Sequence, residues 1–438
     1  MKNSIILFVI LFTTNLSAQN GTWVALPNAP VAGRHDDMQW LTSEFGYVAN
    51  SSGQIWKTRD GGKTWEMVYQ IGSYFRSLAF TDTLNGWAGT INSNSLLHHT
   101  ADGGKTWSEV TNIPSPKPKR ICGMSVVNDQ VIYGSSAFDG PPVIIKTVDG
   151  GKNWSSIDMS PYAQTLIDIK FFSADTGIVT GGGLTGFFSY QNPTINSVVL
   201  YTTNGGLSWT PKYTGTAKGE WGWKIFFVNR KVGYISLEAF NDANVLKTTD
   251  GGLNWVRYHV DDNTDIEGIG FADELLGWTG GYGQTSLTTD GGQTWKTVNF
   301  SGGTENESLD RFKFFGDSIG YAAGKTIYKY TKSKSNSVSE HEKIKEKSLF
   351  LLNNYPNPFN PSTTITYYLP EIGKVKIRIF NSFGQEILDL FDGTQSSGNQ
   401  KINWNGKDGN GKQVSSGVYY YRIDSGKFSE SRVMTLIK

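Results

Sequence analysis

Five segments of this chain place a chemically active or aromatic residue at one fixed distance before a shared landmark. The landmark is a large apolar residue six positions before a Gly–aromatic pair, found at Trp40, Phe80, Phe227, Phe271 and Phe314. Four positions before these landmarks stand Asp36, Arg76, Trp223, Glu267 and Asp310, with Arg311 beside the last. Paired carboxylates are the acid and base of glycoside hydrolysis, whereas arginine and tryptophan together suit the binding of a sugar or an acidic group.

The segments just before this level add further polar and aromatic residues. Two interpretations stay open: the charges pair with one another or with water, or they form a polar pocket with an aromatic platform. The candidate ligand-binding residues are Arg34, His35, Arg76, Arg120, Trp221, Trp223, Glu267 and Arg311. The candidate catalytic residues are Asp36, Glu267 and Asp310.

A second set of polar residues recurs once per repeat, each followed by two glycines and, five positions on, by a tryptophan. Its members are Asp60, Asp102, Asp149, Asn204, Asp250 and Asp290. Single turns in separate repeats do not converge on one ion, so neither calcium binding nor catalysis is expected from them. We expect each side chain to accept backbone N–H bonds within its own turn, where the glycines take positive φ. This set is therefore predicted to be structural.

The spacing of these turns predicts the element that repeats. Successive turn tryptophans from Trp65 to Trp295 lie 42, 47, 55, 46 and 40 residues apart, a period typical of solenoids and propellers. Each repeat contains a strand ending at the large apolar landmark, a Gly–aromatic strand, a strand leading into the turn, and a strand opened by tryptophan. No helical periodicity of useful length intervenes. Four strands per repeat predict a propeller blade.

The two ends of the repeat region complement each other. Residues 312–330 form a seventh unit that lacks the turn and the fourth strand, while Thr22-Trp23-Val24 looks like a fourth strand without its turn. Joining them leaves no free sheet edge. The predicted fold is all-β, with a seven-bladed β-propeller over residues 19–331 closed by the N-terminal strand. The repeated turns would lie on one face and the candidate site at the channel mouth on the other.

The repeated turn resembles the Asp-box, or bacterial neuraminidase repeat, of sialidases and photosystem II assembly factor-like propellers. The sialidase resemblance implies hydrolysis, but the Arg-Ile-Pro motif of sialidases is absent, and Lys119-Arg120-Ile121-Cys122 comes nearest to it. Asp-box xyloglucanases hold paired acids between two tandem propellers, and this chain has one. The resemblance to assembly factors implies the binding of a protein partner instead.

Beyond the propeller, residues 332–353 are Lys-, Ser- and Glu-rich and predict a linker. Alternation such as Val375-Lys-Ile-Arg-Ile-Phe380 then predicts a small Ig-like antiparallel β-sandwich over residues 354–438. This stretch resembles the C-terminal sorting domain of type IX (Por) secretion substrates. The resemblance implies recognition by the type IX secretion machinery, removal of the domain, and release from or attachment to the cell surface.

The start of the chain points to export. Met1 and Lys2 precede the apolar run Ile5–Phe12, and Leu16-Ser-Ala-Gln19 follows, which is typical of a signal peptide over residues 1–18. Lys+Arg 40 against Asp+Glu 39 leaves a net charge of +1, which disfavours nucleic acid as a partner. Cys122 is the only cysteine, so no intramolecular disulfide is expected. No transmembrane segment, cofactor or metal site is predicted.

Together these features favour a secreted or cell-surface monomer that binds a glycan or a protein on the face opposite the Asp-boxes. Loops 134–142 and 181–197, which carry aromatic residues, are predicted to lie on that face. The alternative is a sialidase- or xyloglucanase-like glycoside hydrolase that uses the carboxylates at the channel mouth.

Overall fold

Aromatic and β-branched residues recur at short intervals along the chain, a composition that favours pleated strands over helices. In the computed structural model every regular element of the described residues is a β-strand. The structure describes residues 21–136, 140–184, 194–239, 242–262, 265–282, 284–301, 307–332, and 350–437 apart from 352, 353, 355, 356, 358, 370, 371, 382, 383, 397 and 427. These residues include no helix long and apolar enough to span a bilayer. The predicted signal peptide and most of the predicted linker lie outside them.

The chain divides into two units, residues 1–334 and 335–438, and strands are numbered here in chain order. The first strand is β1 (Thr22–Ala25). Three four-stranded sheets follow, made of β2 (Asp37–Trp40), β3 (Gly46–Ala49), β4 (Gln54–Thr58) and β5 (Glu66–Gln70); β6 (Phe75–Phe80), β7 (Gly86–Thr90), β8 (Leu97–Thr100) and β9 (Ser108–Glu109); and β10 (Gly123–Val126), β11 (Ile132–Ser135), β12 (Val143–Thr147) and β13 (Ser155–Asp158).

Four more sheets complete the first unit. They are made of β14 (Thr165–Phe171), β15 (Gly177–Gly182), β16 (Ser197–Thr202) and β17 (Thr210–Thr214); β18 (Glu220–Phe227), β19 (Gly233–Ala239), β20 (Ala243–Thr248) and β21 (Val256–Asp261); β22 (Asp265–Phe271), β23 (Gly277–Tyr282), β24 (Thr285–Thr288) and β25 (Lys296–Val298); and β26 (Arg311–Phe315), β27 (Ile319–Ala323) and β28 (Ile327–Thr331), which β1 joins.

The first strands of these sheets surround a common axis. Strand β2 contacts β6, β6 contacts β10, and the series runs on through β14, β18, β22 and β26, which contacts β2 again. Within each sheet the strands pair antiparallel in chain order, apart from β1. Blade-like sheets around a central channel define the β-propeller class.

Strand β1 fills the outer place of the last sheet. It pairs antiparallel with β28, and Trp23 lies opposite Tyr330. Trp23 is buried, with its ring centroid 5.5 Å from that of Trp278 and 4.9 Å from that of Phe300. Strand β1 therefore joins the two ends of the repeat region.

The structure explains the six-residue spacing seen in the sequence. Trp40 lies opposite Gly46 in the β2–β3 hairpin, and a Cβ on that glycine would lie 2.5 Å from the indole ring. The aromatic residue after the glycine stacks on the landmark ring of the next sheet, as Tyr47 does on Phe80 at 3.7 Å. The glycine therefore makes room for the ring of its own sheet, and its neighbour holds the next sheet in place.

Backbone bonds show on which face the Asp-boxes lie. The amide of Gly61, in the first box, donates to the carbonyl of Glu44, in the loop between β2 and β3. The amide of Gly103 bonds in the same way to Leu84, and that of Gly291 to Leu275. The boxes therefore share a face with the loops that follow the first strands, and each first strand begins at the opposite face.

The second unit contains two sheets among its described residues. One has β29 (Phe350–Leu351), β30 (Thr363–Leu369) and β33 (Gly398–Trp404), and the other has β31 (Gly373–Asn381), β32 (Glu386–Gln395), β34 (Gly417–Ser425) and β35 (Phe428–Leu436). Ile365, Trp404, Ile377 and Tyr421, two from each sheet, are buried in one apolar core. Two antiparallel sheets with a shared core form an Ig-like sandwich.

Candidate functional site

The structure brings five of the residues singled out by the sequence into one cluster at the start of the first strands. Arg34 Nη2 lies 3.0 Å from Asp36 Oδ1, 2.6 Å from Glu267 Oε2 and 2.5 Å from Asp310 Oδ1. Arg76 Nη1 lies 3.0 Å from the same oxygen of Asp36. We call Arg34, Asp36, Arg76, Glu267 and Asp310 the Arg34 cluster. One guanidinium nitrogen therefore links all three candidate catalytic carboxyl groups.

Aromatic rings enclose the two arginines of this cluster. The Arg76 guanidinium lies 5.1 Å from the ring centroid of Trp223 and 5.6 Å from that of Tyr74, whose hydroxyl donates a hydrogen bond to Asp36. The Arg34 guanidinium lies 5.6 Å from the ring of Tyr282. Trp223 is buried, but Tyr282 is 49% exposed. Tyr282 therefore presents an accessible aromatic ring next to the Arg34 cluster.

Asp36, Glu267 and Asp310 are each no more than 1% exposed. Burial and ion pairing shift the pKa values of their carboxyl groups in different directions. Burial acts to raise the pKa of Asp36, but Arg76 and Arg34 outweigh it and lower that pKa. Burial raises the pKa of Asp310 well above its usual value, and nearby Glu267 adds to the effect. Burial also raises the pKa of Glu267. Asp36 is thus an anion, while Asp310 keeps a proton that it donates towards Glu267.

Two of the predicted ligand-binding residues, His35 and Trp221, are buried and bonded to other parts of the protein. His35 is fully buried, and its Nδ1 lies 2.8 Å from the carbonyl oxygen of Gly324. Burial lowers its pKa to about 4, so the imidazole is neutral at pH 7. Trp221 is buried with Trp223, Cys122 and Ile167 in an apolar cluster, and its indole donates to Glu238 at 2.9 Å. Arg120, in the segment before β10, is half-buried.

Arg311 belongs to a different group of charges from its neighbour Asp310. Its Nε lies 2.9 Å from Asp37, and its Nη1 lies 2.9 Å from Asp168, so it links β26 to β2 and to β14. Lys224 is 1% exposed beside these acids, and burial followed by repulsion from Arg311 lowers its pKa. We call Asp37, Asp168, Lys224 and Arg311 the second ion network.

Asp37, Asp168 and Lys224 were not among the predicted site residues, although the sequence carries a signal for them. Each stands three positions before the large apolar residue of its first strand, as Arg311 does. Asp37 also accepts the amide of Leu78 in the next sheet at 2.8 Å, and Asp168 accepts that of Ile225 at 2.9 Å. This level therefore holds neighbouring first strands together.

The Asp-box side chains are occupied within their own turns. Asp60 accepts the amide of Thr64 at 2.9 Å and the hydroxyl of Thr58 at 2.9 Å. Hydrogen bonds from Thr64 lower the pKa of Asp60 to about 2. Asn204 accepts the amide of Ser208 at 3.0 Å in the same manner. The equivalent bonds recur at Asp102, Asp149, Asp250 and Asp290.

Among the described residues, Asp242, His259 and Asp262 have donor atoms within 4.8 Å of one another. His259 Nε2 lies 3.3 Å from Asp262, and Arg257 lies 3.3 Å from Asp242. An arginine beside one carboxylate makes this group a surface ion-pair network. The parts of the two predicted contact loops at residues 137–139 and 185–193 lie outside the described residues.

The fold and the channel define this chain as a β-propeller followed by an Ig-like domain. Residues 67–165 match the family of photosynthesis system II assembly factor YCF48, and residues 360–427 match the FlgD Ig-like domain. No curated protein matches the chain.

Solved structures share the propeller fold. A structure of YCF48 bound to D1 peptide is 17% identical, with a TM-score of 0.54 over 72% of this chain and 98% of that chain. YCF48 from Cyanidioschyzon merolae is 18% identical, with a TM-score of 0.54 over 72% and 99% of the two chains. An ancestral GH74 enzyme is 12% identical, with a TM-score of 0.52 over 93% of this chain and 60% of that chain. Identities this low show the fold alone.

Proposed function

We propose that this chain is an exported binding protein without enzymatic activity. Its seven four-stranded sheets act as the seven blades of a ring that β1 closes, and this rigid ring presents a ligand site at the channel mouth opposite the Asp-boxes. The ligand is a glycan or a protein segment, and the protein acts as a monomer at the cell surface or outside the cell. Export uses the type IX machinery through residues 354–438.

One observation carries the choice of binding over hydrolysis. The carboxyl groups of Asp36, Glu267 and Asp310 are buried around Arg34 Nη2 at 2.5–3.0 Å. A glycosidase needs two carboxyl groups that flank the scissile bond, with room for the sugar between them. Here a guanidinium occupies that space, so the second candidate, a glycoside hydrolase, is supported only by likeness of fold to a GH74 enzyme.

The accessible groups at the same mouth suit a ligand. Tyr282 offers a half-exposed ring, and the side chain of Arg34 is 15% exposed beside it. An aromatic face beside a cation suits a sugar ring or an acidic peptide segment. The solved complex of YCF48 with D1 peptide supports the protein-segment option by analogy of fold.

The test uses the purified protein with a panel of sialylated, plant and bacterial polysaccharides and a peptide array. We expect selective retention of an intact ligand and no new glycan fragments by mass spectrometry. Tyr282→Ala should weaken this retention at least tenfold, whereas Tyr420→Ala, a tyrosine 42% exposed on the second unit, should leave it unchanged. New fragments from any glycan would overturn the non-enzymatic assignment, and equal effects of both variants would overturn the site.

Export has a test of its own in a host with type IX secretion. We expect a chain lacking residues 354–438 to stay inside the outer membrane, while the full chain reaches the surface or the medium without its C-terminal unit. The comparison is made by immunoblotting of cell fractions. Equal amounts of both chains outside the cell would contradict the sorting role.

A further inference from the structure

The end of the channel nearest the Asp-boxes contains a cavity of about 260 Å³. First strands of six sheets line it, at a level one position before their large apolar residues. There stand Gln39, Ser125, Lys170, Phe226 and Lys313. The equivalent residues of β6 and β22 are Ala79 and Gly270, and these small residues leave space. Asp37, Asp168 and Arg311 of the second ion network also line the cavity, whereas no residue of the Arg34 cluster does.

Two lysines supply the charges at the mouth of this cavity. The side chains of Lys170 and Lys313 are accessible to solvent but partly enclosed by the channel walls, and neither forms an ion pair or a side-chain hydrogen bond with a described residue. Lys313 Nζ lies 5.4 Å from the ring centroid of Phe315. The nearest acids along their strands are already used, because Arg311 bonds to both Asp37 and Asp168. Asp37, Asp168 and Arg311 also line the cavity, so its lining holds three cations against two acids, and both acids are bonded to Arg311.

The electrostatics agree with this geometry. Burial lowers the pKa of Lys170, and the charge of Lys313 lowers it further, whereas Asp168 acts to raise it. Burial also lowers the pKa of Lys313. A lysine whose folded pKa is lowered destabilises the protein at neutral pH, and the loss disappears as the group deprotonates at high pH. An anion bound beside the two lysines would favour their charged forms.

We propose that this cavity binds a small ligand whose oxyanion group lies between Lys170 and Lys313. A carboxylate, phosphate or sulfate would remove the repulsion between the two ammonium groups and accept hydrogen bonds from both. Phe226 supplies an apolar surface for the rest of the ligand. An apolar cavity of about 150 Å³ admits benzene, so this space accommodates one ring with its anionic group.

The test is isothermal titration calorimetry of the full chain with phenyl phosphate, benzoate, inorganic phosphate and benzyl alcohol. We expect one site for at least one aromatic anion, weaker binding of inorganic phosphate, and no binding of the neutral alcohol. The aromatic anion that binds more tightly identifies the preferred oxyanion. Binding of benzyl alcohol as tight as that of both anions would overturn the proposal, as would absence of binding by either anion.

A pair of double variants locates the binding. Lys170→Gln with Lys313→Gln should weaken binding of the aromatic anion at least tenfold. The matched control, Lys63→Gln with Lys105→Gln, removes two exposed lysines from Asp-box turns on the same face. It should change the affinity for the aromatic anion less than twofold. Equal losses in both pairs would mean a diffuse field effect and would overturn the site.

Thermal unfolding shows whether either pair has merely damaged the fold. We expect the Lys170/Lys313 pair to melt at the same temperature as the unaltered protein or above it, because repulsion and buried charge are removed. A lower melting temperature together with lost binding would overturn the assignment of these lysines to a ligand. This outcome is independent of the site on the opposite face.

Discussion

The Arg34 cluster shows how strongly one side chain can depend on the rest of the ring. Arg34 comes from the segment before β2, Glu267 from β22 and Asp310 from the residue before β26. Each carboxyl group is buried, so its ionisation is tolerable only beside a cation. The guanidinium of Arg34 therefore acts on three acids at once, while burial and Arg76 also contribute to their protonation states.

Replacing this arginine tests that dependence. Arg34→Met would leave Glu267 without its cation and Asp36 with Arg76 alone, and we expect the free energy of unfolding at pH 7 to fall by about 3–5 kcal/mol. The loss should shrink at pH 4.5, where protonation removes the unpaired charge. Urea unfolding at both pH values measures the effect. Arg59→Met, at an exposed arginine of the first Asp-box, serves as the control and should cost less than about 1 kcal/mol.

Asp265 gives a pH dependence of known sign. Burial raises the pKa of Asp265 to about 7, whereas an aspartate in the unfolded chain has a pKa of about 4. Between these values the folded protein holds more protons than the unfolded chain, so this group lowers stability as pH rises from about 4 to about 7. Asp265→Asn should therefore be increasingly more stable than the unaltered protein across that interval.

The measurement is chemical unfolding of both proteins at pH 4.5, 6 and 7.5. Asp129→Asn, at an exposed aspartate in a turn, is the matched control and should show a constant difference. A difference for Asp265→Asn that stays flat or grows towards low pH would contradict the assigned shift.

At the scale of the element, the Asp-box and the first hairpin work together. The box turn bonds to the loop after the first strand, and the Gly–aromatic pair packs one sheet on the next. A single acidic oxygen holds much of the turn. In the sixth box, Asp290 Oδ1 accepts the amides of Gln293 and Thr294, each at 3.0 Å.

Asp290→Ala should lower the free energy of unfolding by about 1 kcal/mol, as loss of a helix cap does, because two amides lose their acceptor. Asp290→Asn keeps an oxygen at that place, as Asn204 does in the fourth box, and should cost less than half as much. Thermal unfolding of the two variants makes the comparison. Equal losses would mean that the negative charge, and not the acceptor, stabilises the turn.

At the scale of the whole molecule, β1 pairs with the last strand of the repeat region and so links its two ends. Trp23→Ala removes a ring packed against Trp278, Phe300 and Tyr330, and we expect a loss of about 3–5 kcal/mol in the free energy of unfolding. Val24→Ala, on the same strand but 58% exposed, should change it by less than about 0.5 kcal/mol. If both variants lose little, the N-terminal strand does not support the ring.

Much of the element level was readable from the sequence. The repeat length, the four strands and the Asp-box turn are local, so the spacing of Gly46 after Trp40 or of Trp65 after Asp60 suffices to predict them. The landmark alignment also brought Asp36, Arg76, Glu267 and Asp310 to one level, and the structure places them in one cluster.

The pairing of charges was not readable. Asp310 and Arg311 are adjacent in sequence, yet they join different ion networks, since successive residues of a strand point in opposite directions. For the same reason Asp37 and Asp168 were not predicted, because the candidate residues were taken from the level four positions before the landmark and these two stand three positions before it. The lysines at the box end of the channel are likewise isolated in sequence, at Lys170 and Lys313.

The sequence by itself thus determined the repeating unit, because strands and turns follow from residues that are neighbours along the chain. Only the tertiary structure decided which groups carry a charge. Arg34 bonds to Glu267, 233 positions away in sequence, and to Asp310, 276 positions away. Only the arrangement of the sheets around the channel brings these residues into contact. Burial in the channel then makes each charge depend on its partner, and no property of a local segment contains that information.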